Sequence, residues 1–237
     1  MTTPISRPFS SSKKLRATLA QIKHLNNLPD EVVKAMIESA SPRHFDAGQV
    51  IYLEGEPAEY VYFLQSGWVK ATRMTHEGRE QGLHFLRPVE MFGDNAVFTQ
   101  TTYPATTTAL EATDVWVIPS EALLTLVKRF PDLALAIISI LSERIVKYIE
   151  LVEDLSLRSV DERLASTLLR NAELIDGEMV VQRRAWTTLD EMAVRLGTVR
   201  DVLSRAMKTL ELEGYIKVDK QKIVIVDAKE LAKRANQ

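Results

Sequence analysis

The hydrophobic period of the chain changes near Pro131, and this change limits the folds that the sequence can adopt. Upstream, over residues 45–119, short runs rich in Val, Tyr, Phe, Trp, Ile and Thr are separated by turn residues such as Gly48, Gly67 and Gly93-Asp94. Short strands with turns about every eight to twelve residues are typical of an antiparallel sandwich or barrel. Residues 45–119 are therefore predicted to form a compact β unit.

Downstream of Pro131, apolar residues recur in alternating steps of four and three, which is the pattern of a coiled-coil seam. This pattern predicts one long helix over residues 131–157. The simplest partner for the seam is a second copy of the protein, and the alternative is an intramolecular core helix. The residues predicted to form the dimer interface are Ile138, Leu141, Ile145, Tyr148, Val152 and Leu155. A second apolar set can lie on the β unit and consists of Ile137, Ile140, Ile149 and Leu151.

The last third of the chain has the element order of a winged helix-turn-helix domain. Helices are predicted in "VDERLASTLLRNAEL", "TTLDEMAVRLG" and "LGTVRDVLSRAMKTLELEGYI", and a short strand is predicted in "EMVVQ". The segment "YIKVDKQKIVIVD" contains two alternating runs around a charged turn, which predicts a small hairpin. Thr188 followed by Glu191 fits a capping box, and Gly197 fits a sharp turn between two helices.

The second helix of that pair has more cationic surface than packing requires. Its predicted apolar stripe consists of Val199, Val202, Leu203, Ala206, Met207 and Leu210. Thr198 with Asp201 is predicted to cap the helix, so that its N-terminus faces outward as in helices that enter the major groove. The alternative is a solvated face on which Asp201 and Arg205 form an i,i+4 pair. The predicted DNA-binding residues are Thr188, Thr198, Arg200, Asp201, Ser204, Arg205 and Lys208.

Composition excludes several classes of protein. The 237 residues include no Cys, which rules out disulfides, thiolate ligation of iron–sulfur clusters and cysteine nucleophiles. No apolar run approaches the roughly 18 to 20 residues needed to cross a bilayer, so we expect a cytoplasmic protein without membrane contact. Residues 1–29 are basic and contain no acid; they are predicted to begin with a disordered extension, and the alternative is an organelle transit segment.

Five motifs follow one another along the chain: "GEPAEYVYFLQSGWVK", "HEGREQGLHFL", "EMFGDNAVF", "VDERLASTLL" and "RLGTVRDVLSRAMKTLELEGYI". Together they resemble bacterial transcription regulators of the cyclic-AMP receptor protein and fumarate-nitrate reductase regulator (CRP/FNR) family. The resemblance implies an α+β fold. Its parts would be a flexible extension (1–20), an antiparallel β-roll sensor of the cyclic-nucleotide-binding jelly-roll type (21–130), a long dimerisation helix (131–157) and a winged helix-turn-helix domain (158–237).

The resemblance also implies a function. Members of the family bind pseudo-palindromic operators as homodimers and act with RNA polymerase, so double-stranded DNA and RNA polymerase are the expected partners. Their recognition helix carries an Arg-Glu-x-x-x-Arg arrangement that reads a G/C-containing half-site, and Arg200, Asp201 and Arg205 fall on it. Asp in place of Glu shortens the acceptor by one methylene. Ser204 and Lys208 suit phosphate or bridging contacts.

The sensor departs from the cyclic-AMP-binding members of the family. Those members use a Gly-Glu pair for the ribose and, about ten residues later, an Arg-Ser pair for the phosphate. Here those positions read Gly93-Asp94 and Pro104-Ala105, and a buried phosphate without its arginine would lose a charge-assisted pair. The expected effector pocket consists of Gly93, Asp94, Asn95, Pro104, Ala105, Thr106 and Tyr148, with no cyclic-AMP response and an unidentified effector or none.

Three alternatives remain for the sensor and the function. Arg73, Arg79 or Arg87 could supply the missing charge to a cyclic nucleotide, and haem could use one of the four His residues. An enzyme would need a clustered metal site or a catalytic motif, but the sequence has no His-x-His, Gly-x-Ser-x-Gly or Walker phosphate loop. No cofactor and no catalysis are therefore expected. A protein-binding platform would leave the outward cations of the recognition helix unexplained.

Overall fold

The structure is a computed structural model that describes residues 9–75, 77–78 and 80–235. Within those residues the chain divides into two compact units. The first comprises the described residues up to Thr75 together with Leu83–Ile145, and the second comprises those between 77 and 82 together with the chain from Val146 onward. Each unit has a hydrophobic core of its own.

The first unit consists of two four-stranded sheets and the helices that cover one of them. The sheets have the strand orders β1-β8-β3-β6 and β2-β7-β4-β5, and the pairings resolved between the strands are antiparallel. The elements that lie wholly or partly in this unit are α1 (Phe9–Gln21), α2 (Asp30–Ser39), β1 (Ser41–Phe45), β2 (Val50–Tyr52), β3 (Tyr60–Ser66), β4 (Val69–Met74), β5 (Glu80–Leu86), β6 (Met91–Phe92), α3 (Asp94–Thr99), β7 (Thr106–Ala109), β8 (Thr113–Pro119), α4 (Ser120–Arg129) and α5 (Pro131–Leu157). The first residues of β5 and the last residues of α5 belong to the second unit.

Strands β3 and β8 are buried on both faces, which explains why their sequences read as unbroken apolar runs. Successive side chains of a strand point to opposite faces. Phe63 of β3 accordingly lies in the core beneath the helices, and its neighbour Tyr62 lies in the core between the sheets. In β8, Ile118 and Val117 divide in the same way. This pair of strands therefore separates the two cores of the first unit.

Helix α1 overturns part of the prediction of a flexible extension over residues 1–20. The segment Phe9–Gln21 is helical, and Leu15 and Leu19, four residues apart, are fully buried in the core that also contains Met36 and Leu133. Apolar residues at this spacing form one face of a helix and become ordered when that face has a core to cover. Residues 1–8 lie outside the described residues.

The second unit is a small sheet packed with helices. Its sheet has the order β11-β12-β10-β9, and its core joins α6, α7, α8 and α9. Ser159 caps α6 in a complete capping box with Glu162. Strands β11 and β12 form the predicted hairpin, with residues 219–221 at its turn. The elements are α6 (Val160–Arg170), β9 (Glu173–Ile175), β10 (Glu178–Gln182), α7 (Leu189–Leu196), α8 (Arg200–Leu212), β11 (Ile216–Val218), β12 (Lys222–Ile225) and α9 (Ala228–Arg234).

The architecture confirms the predicted fold class: an antiparallel β domain, a long helix, and a C-terminal domain with a two-helix turn and a hairpin. The strands predicted within residues 45–119 correspond to β2, β3, β4, β5, β7 and β8, and the helix expected over residues 131–157 is α5. Sequence reasoning missed the short strands β1, β6 and β9 and the helices α3, α4 and α9. Most of these are too short for a hydrophobic period to identify them.

Candidate functional site

Helices α7 and α8 are joined by a tight turn that glycine makes possible. Thr188 is the N-cap of α7, and its hydroxyl oxygen accepts a hydrogen bond from the Glu191 backbone N–H at 3.2 Å, which is the Thr188 half of the predicted capping box. Gly197 ends α7 with φ at +62°, in the left-handed region. A Cβ at this position would come within 2.5 Å of Leu155 Cδ2. Both backbone conformation and space therefore require glycine here.

The prediction that Thr198 caps α8 is wrong. Helix α8 begins at Arg200 and its N-cap is Val199, whose side chain makes no capping hydrogen bond. The Thr198 backbone N–H donates to the Ala193 carbonyl at 3.0 Å, so Thr198 closes the turn after α7 instead of opening α8. Because the stripe begins beyond the edge of the core, Val199 is 53% exposed although it was expected to pack within it.

The polar face of α8 points to solvent as predicted. The buried stripe consists of Leu203, Ala206, Met207 and Leu210. On the other side of the helix the exposed residues are Arg200, Asp201, Ser204, Arg205 and Lys208. The burial of one face fixes the rotation of the helix about its axis. The five polar side chains are therefore held outward as a group.

The contacts on this face differ from the i,i+4 pair of Asp201 and Arg205 that was the alternative prediction. Arg205 Nε donates to the backbone carbonyl of Asp201 at 3.4 Å, and no carboxylate pair joins these two residues. Arg200 Nη1 instead lies 3.2 Å from Asp190 Oδ2, a carboxylate of α7. The pair links the first turns of the two helices across the turn.

Next to α8 lies a surface depression of about 530 Å³ that sequence reasoning missed. Its residues come from the segment before α7, the first turns of α7 and α8, and the turn of the β11–β12 hairpin. Arg183 joins two of these parts, since its guanidinium donates to the Asp219 carbonyl at 3.0 Å and to the Thr187 carbonyl at 3.1 Å. The charged residues that line the depression are Arg183, Arg184, Asp190, Arg200 and Lys220. The paired arginines in "QRRAW" and the charged hairpin turn were the available signals.

In the first unit the predicted Gly93-Asp94 position meets an arginine that sequence reasoning also missed. Asp94 is fully buried, and Arg144 of α5 donates to both of its carboxylate oxygens, at 2.8 and 3.1 Å. A further nitrogen of the same guanidinium donates to the Met91 carbonyl at 2.7 Å. A carboxylate buried in protein requires such a partner because desolvation of an isolated charge is costly.

Aromatic rings fill the space between the two sheets. Tyr52 stacks on Tyr103 with the ring centroids 3.8 Å apart, and Tyr62 stacks on Phe92 at 4.9 Å. Burial raises the pKa of the Tyr52 and Tyr62 hydroxyls well above the ordinary tyrosine range. Gly93 fits against this cluster, since a Cβ there would come within 3.0 Å of Tyr62 Cδ2. The interior is therefore apolar, with neutral hydroxyl groups.

The other residues of the expected pocket differ in their burial. Asn95 and Pro104 are exposed, and Tyr148 is 39% exposed on α5. The Thr106 hydroxyl oxygen accepts a hydrogen bond from the Glu54 backbone N–H at 3.1 Å. Of the expected pocket residues, Gly93, Asp94 and Ala105 are buried. The structure thus places only part of the predicted set in the interior and adds Arg144 to it.

Two of the three alternative phosphate-binding arginines, Arg73 and Arg87, pair with acids near them in the structure. Arg73 pairs with Glu54 at 2.6 Å and Arg87 lies 3.6 Å from Glu90, and both arginines are mostly exposed. Arg79 and His76 lie outside the described residues. The remaining histidines each lie within salt-bridge distance of a carboxylate: His24 of Glu143, His44 of Asp114 and His84 of Glu90. Among the described residues, no cluster of three or more His, Asp or Glu could hold a metal ion.

Helix α5 has an exposed apolar strip. Of the six residues predicted for a dimer interface, Ile138, Ile145, Tyr148 and Val152 are exposed. The other two are half-buried within the chain: Leu141 packs on the core of the first unit, and Leu155 lies beside Gly197. Ile149, predicted to face the β unit, is also exposed, because α5 has by then passed Ile145, where the first unit ends.

Comparison with known families divides the chain in the same order. Residues 42–130 match the cyclic nucleotide-binding domain, and residues 162–234 match the Crp-like helix-turn-helix domain. Among the described helices, none combines the length and the apolar character that a bilayer crossing requires.

Comparison with individual proteins extends over most of the chain. The CRP-like cAMP-activated global transcriptional regulator of Mycobacterium tuberculosis is 26% identical over 92% of this chain and 98% of its own length. The transcriptional activator protein anr of Pseudomonas aeruginosa is 29% identical over 85% of this chain and 81% of its own length. The structure of FixK2 from Bradyrhizobium japonicum shares the fold, with a TM-score of 0.71, 22% identity and coverage of 82% of this chain and 96% of that one.

The buried pair generates a stability prediction. Asp94→Asn or Arg144→Met alone should lower the free energy of unfolding by about 3 to 5 kcal/mol, because each leaves one buried charge without its partner. The double variant should lose less than the sum of the two single losses, since no unpaired charge remains. Urea denaturation followed by circular dichroism measures these changes.

The neighbouring surface residue provides the control for this prediction. Glu143→Gln breaks exposed contacts with Lys23 and His24 and should leave the urea midpoint nearly unchanged. Additive losses in the double variant would contradict a coupled pair.

Proposed function

The chain belongs to the CRP/FNR family of transcription regulators, and from that premise we propose that it binds a pseudo-palindromic operator as a homodimer and regulates transcription without cyclic AMP. The single observation that carries the proposal is the outward polar face of α8, fixed by the buried stripe behind it. A helix exposed in this way fits the major groove, which is about 12 Å wide. The helix-turn-helix is therefore the DNA-reading element.

Each residue of the reading face has a proposed role. Arg200 and Arg205 donate pairs of hydrogen bonds to guanine O6 and N7, and Asp201 accepts from a cytosine amino group. Phosphate contacts come from Ser204 and Lys208 on the face itself and from Arg184 and Lys220 in the depression beside it. Thr188 contributes by fixing the start of α7, which its hydroxyl already caps.

The proposed dimer forms along α5. Exposed apolar side chains at Ile138, Ile145 and Val152 follow heptad spacing, and Tyr148 and Ile149 extend the same exposed surface. A second copy of the chain presents an identical strip and would bury both. Two-fold symmetry then predicts half-sites whose centres lie about 34 to 36 Å apart along the DNA.

The sensor domain supports control by something other than a cyclic nucleotide. The Asp94 carboxylate is already bound by Arg144, and aromatic rings occupy the interior next to Gly93. The alternative, a cyclic-nucleotide response through another arginine, has less support because Arg73 and Arg87 pair with surface acids. We therefore propose an unidentified effector of another class, or activity that depends only on the amount of protein.

The expected setting follows from the target. A regulator of genomic DNA in bacteria acts in the cytoplasm, and contact with RNA polymerase is the proposed means by which it changes transcription. The relatives are transcription regulators, so we propose a role in binding without catalysis and without a cofactor.

Substitutions on α8 should separate base reading from phosphate contact. Operators enriched from random duplexes and footprinted should show a protected inverted repeat. On such an operator Arg200→Ala should cost about 1 to 3 kcal/mol and relax preference at one base pair, because a bidentate contact is lost. Lys208→Ala should weaken binding to all sequences alike and reduce the salt slope by about one. Equal losses on operator and random DNA for Arg200→Ala would count against base reading.

A charge in the apolar strip should disrupt the dimer. Ile145→Glu places a carboxylate between the two proposed helices, where it would have no partner, so the variant should sediment as a monomer at micromolar concentration and lose operator binding. Glu150→Ala changes an exposed charged residue of the same helix and should leave both properties intact. A wild-type protein that is monomeric at this concentration would refute the dimer.

The sensor proposal is tested by titration. Isothermal calorimetry of the full chain with cyclic AMP should show no heat of binding, since Pro104-Ala105 stands where the cyclic-AMP-binding members carry the arginine that pairs with the phosphate. Saturable binding at micromolar concentrations would overturn this part of the proposal.

A further inference from the structure

Asp190 is an acid in a depression that is otherwise lined by cations. The charged residues around it are Arg183, Arg184, Arg200 and Lys220. On the proposed function this surface faces DNA, where a carboxylate repels the phosphates and lowers affinity for every sequence. The Asp190 side chain is 63% exposed, so burial does not account for its presence.

Local helix stability does not require Asp190 either. Thr188 already supplies the N-cap hydrogen bond of α7, and Glu191 places a second acid in the same turn. An acid near the helix N-terminus adds only a small stabilisation through the helix dipole, and salt screens it. Within the described residues, the Asp190 carboxylate makes one ion pair, with Arg200 Nη1 at 3.2 Å.

Arg200 benefits from such a partner. Arg200 is the first residue of α8, and its long side chain is exposed. Fixing an arginine side chain in one orientation costs rotamer entropy. The guanidinium carries five N–H donors in a planar fork. One contact to a carboxylate on α7 restricts its orientation and leaves donors for the two acceptors of guanine.

We infer that Asp190 is a positioning residue for Arg200: it orients the guanidinium from the neighbouring helix and thereby sets the preference for guanine at the base pair that Arg200 reads. The inference rests on the proposed function and deepens it. It assigns a residue outside the recognition helix to sequence specificity.

The two effects of Asp190 have opposite signs, and this makes the role measurable. Without the carboxylate, affinity for random duplex should stay equal or rise, because a repulsion is removed. Discrimination at the Arg200 base pair should fall at the same time, because the guanidinium is less restricted. A residue that acted only as a negative charge would change both sequences equally, and one that only stabilised α7 would weaken both.

The experiment measures dissociation constants of the full-length protein at one salt concentration. An operator is first enriched from random duplexes. The base pair read by Arg200 is the one at which Arg200→Ala loses preference. Each protein variant is then titrated with the operator, with the operator changed at that base pair, and with random duplex. Asp190→Asn should reduce discrimination at that base pair by at least about fivefold. Asp190→Glu retains the charge but moves it by one methylene, and should also reduce discrimination. Glu213→Gln removes a charge from the far end of α8 and should not.

Coupling to Arg200 decides the result. In an Arg200→Ala background, Asp190→Asn should change discrimination by less than about twofold, because the group that it positions is absent. Two results would overturn the inference without affecting the proposal of specific DNA binding. One is that Asp190→Asn in the wild-type background changes discrimination by less than about twofold. The other is that it reduces discrimination equally in the wild-type and Arg200→Ala backgrounds. If the wild-type protein enriches no operator, the proposed function itself fails.

Discussion

The two-sided burial of β3 and β8 is the constraint on which the first unit depends. Phe63 and Ile118 face the helices, while Tyr62 and Val117 face the opposite sheet. A shift of either strand by one residue would exchange these sets and place a tyrosine hydroxyl beneath the helices. The register of the pair, in which Tyr62 opposes Val117, therefore determines both the surface that α1, α2 and α4 cover and the composition of the interior beside Gly93.

That interior has consequences for regulation. In a sensor whose ligand supplies the partner of a buried carboxylate, that carboxylate must stay hydrated or protonated until the ligand binds. Here Arg144, on the helix proposed to form the dimer, neutralises Asp94 within the chain. An ion pair of this kind adds little net stability compared with apolar packing, but loss of either partner is costly. The pair therefore restrains the position of α5 on the first unit without an added ligand.

Sequence reasoning succeeded where local spacing determines structure. The outward face of α8 follows from the 3.6-residue period alone, which leaves Arg200 and Arg205 outside the buried stripe of Leu203, Ala206, Met207 and Leu210. Sequence reasoning failed where a buried residue is paired with a residue that is distant in sequence. Arg144 and Asp94 are 50 residues apart, and an arginine in an apolar helix gives no indication of which acid it meets. The prediction of a cap at Thr198 was wrong for a second reason: Thr198 closes the turn after α7, so α8 begins one residue later than its composition suggests.

The charge balance of the C-terminal domain limits how it can bind DNA. Residues 158–237 contain 15 Lys and Arg against 13 Asp and Glu, a net charge of only +2. Binding cannot then rely on the overall charge, and the cations must be concentrated locally, as they are around Arg183. On the proposed function, acids at Asp190 and Asp201 beside Arg200 and Arg205 weaken contact with any DNA. Such acids are tolerable only if they improve discrimination between operator and other DNA. A genome offers so many nonspecific sites that the ratio of specific to nonspecific affinity matters more than the specific affinity alone.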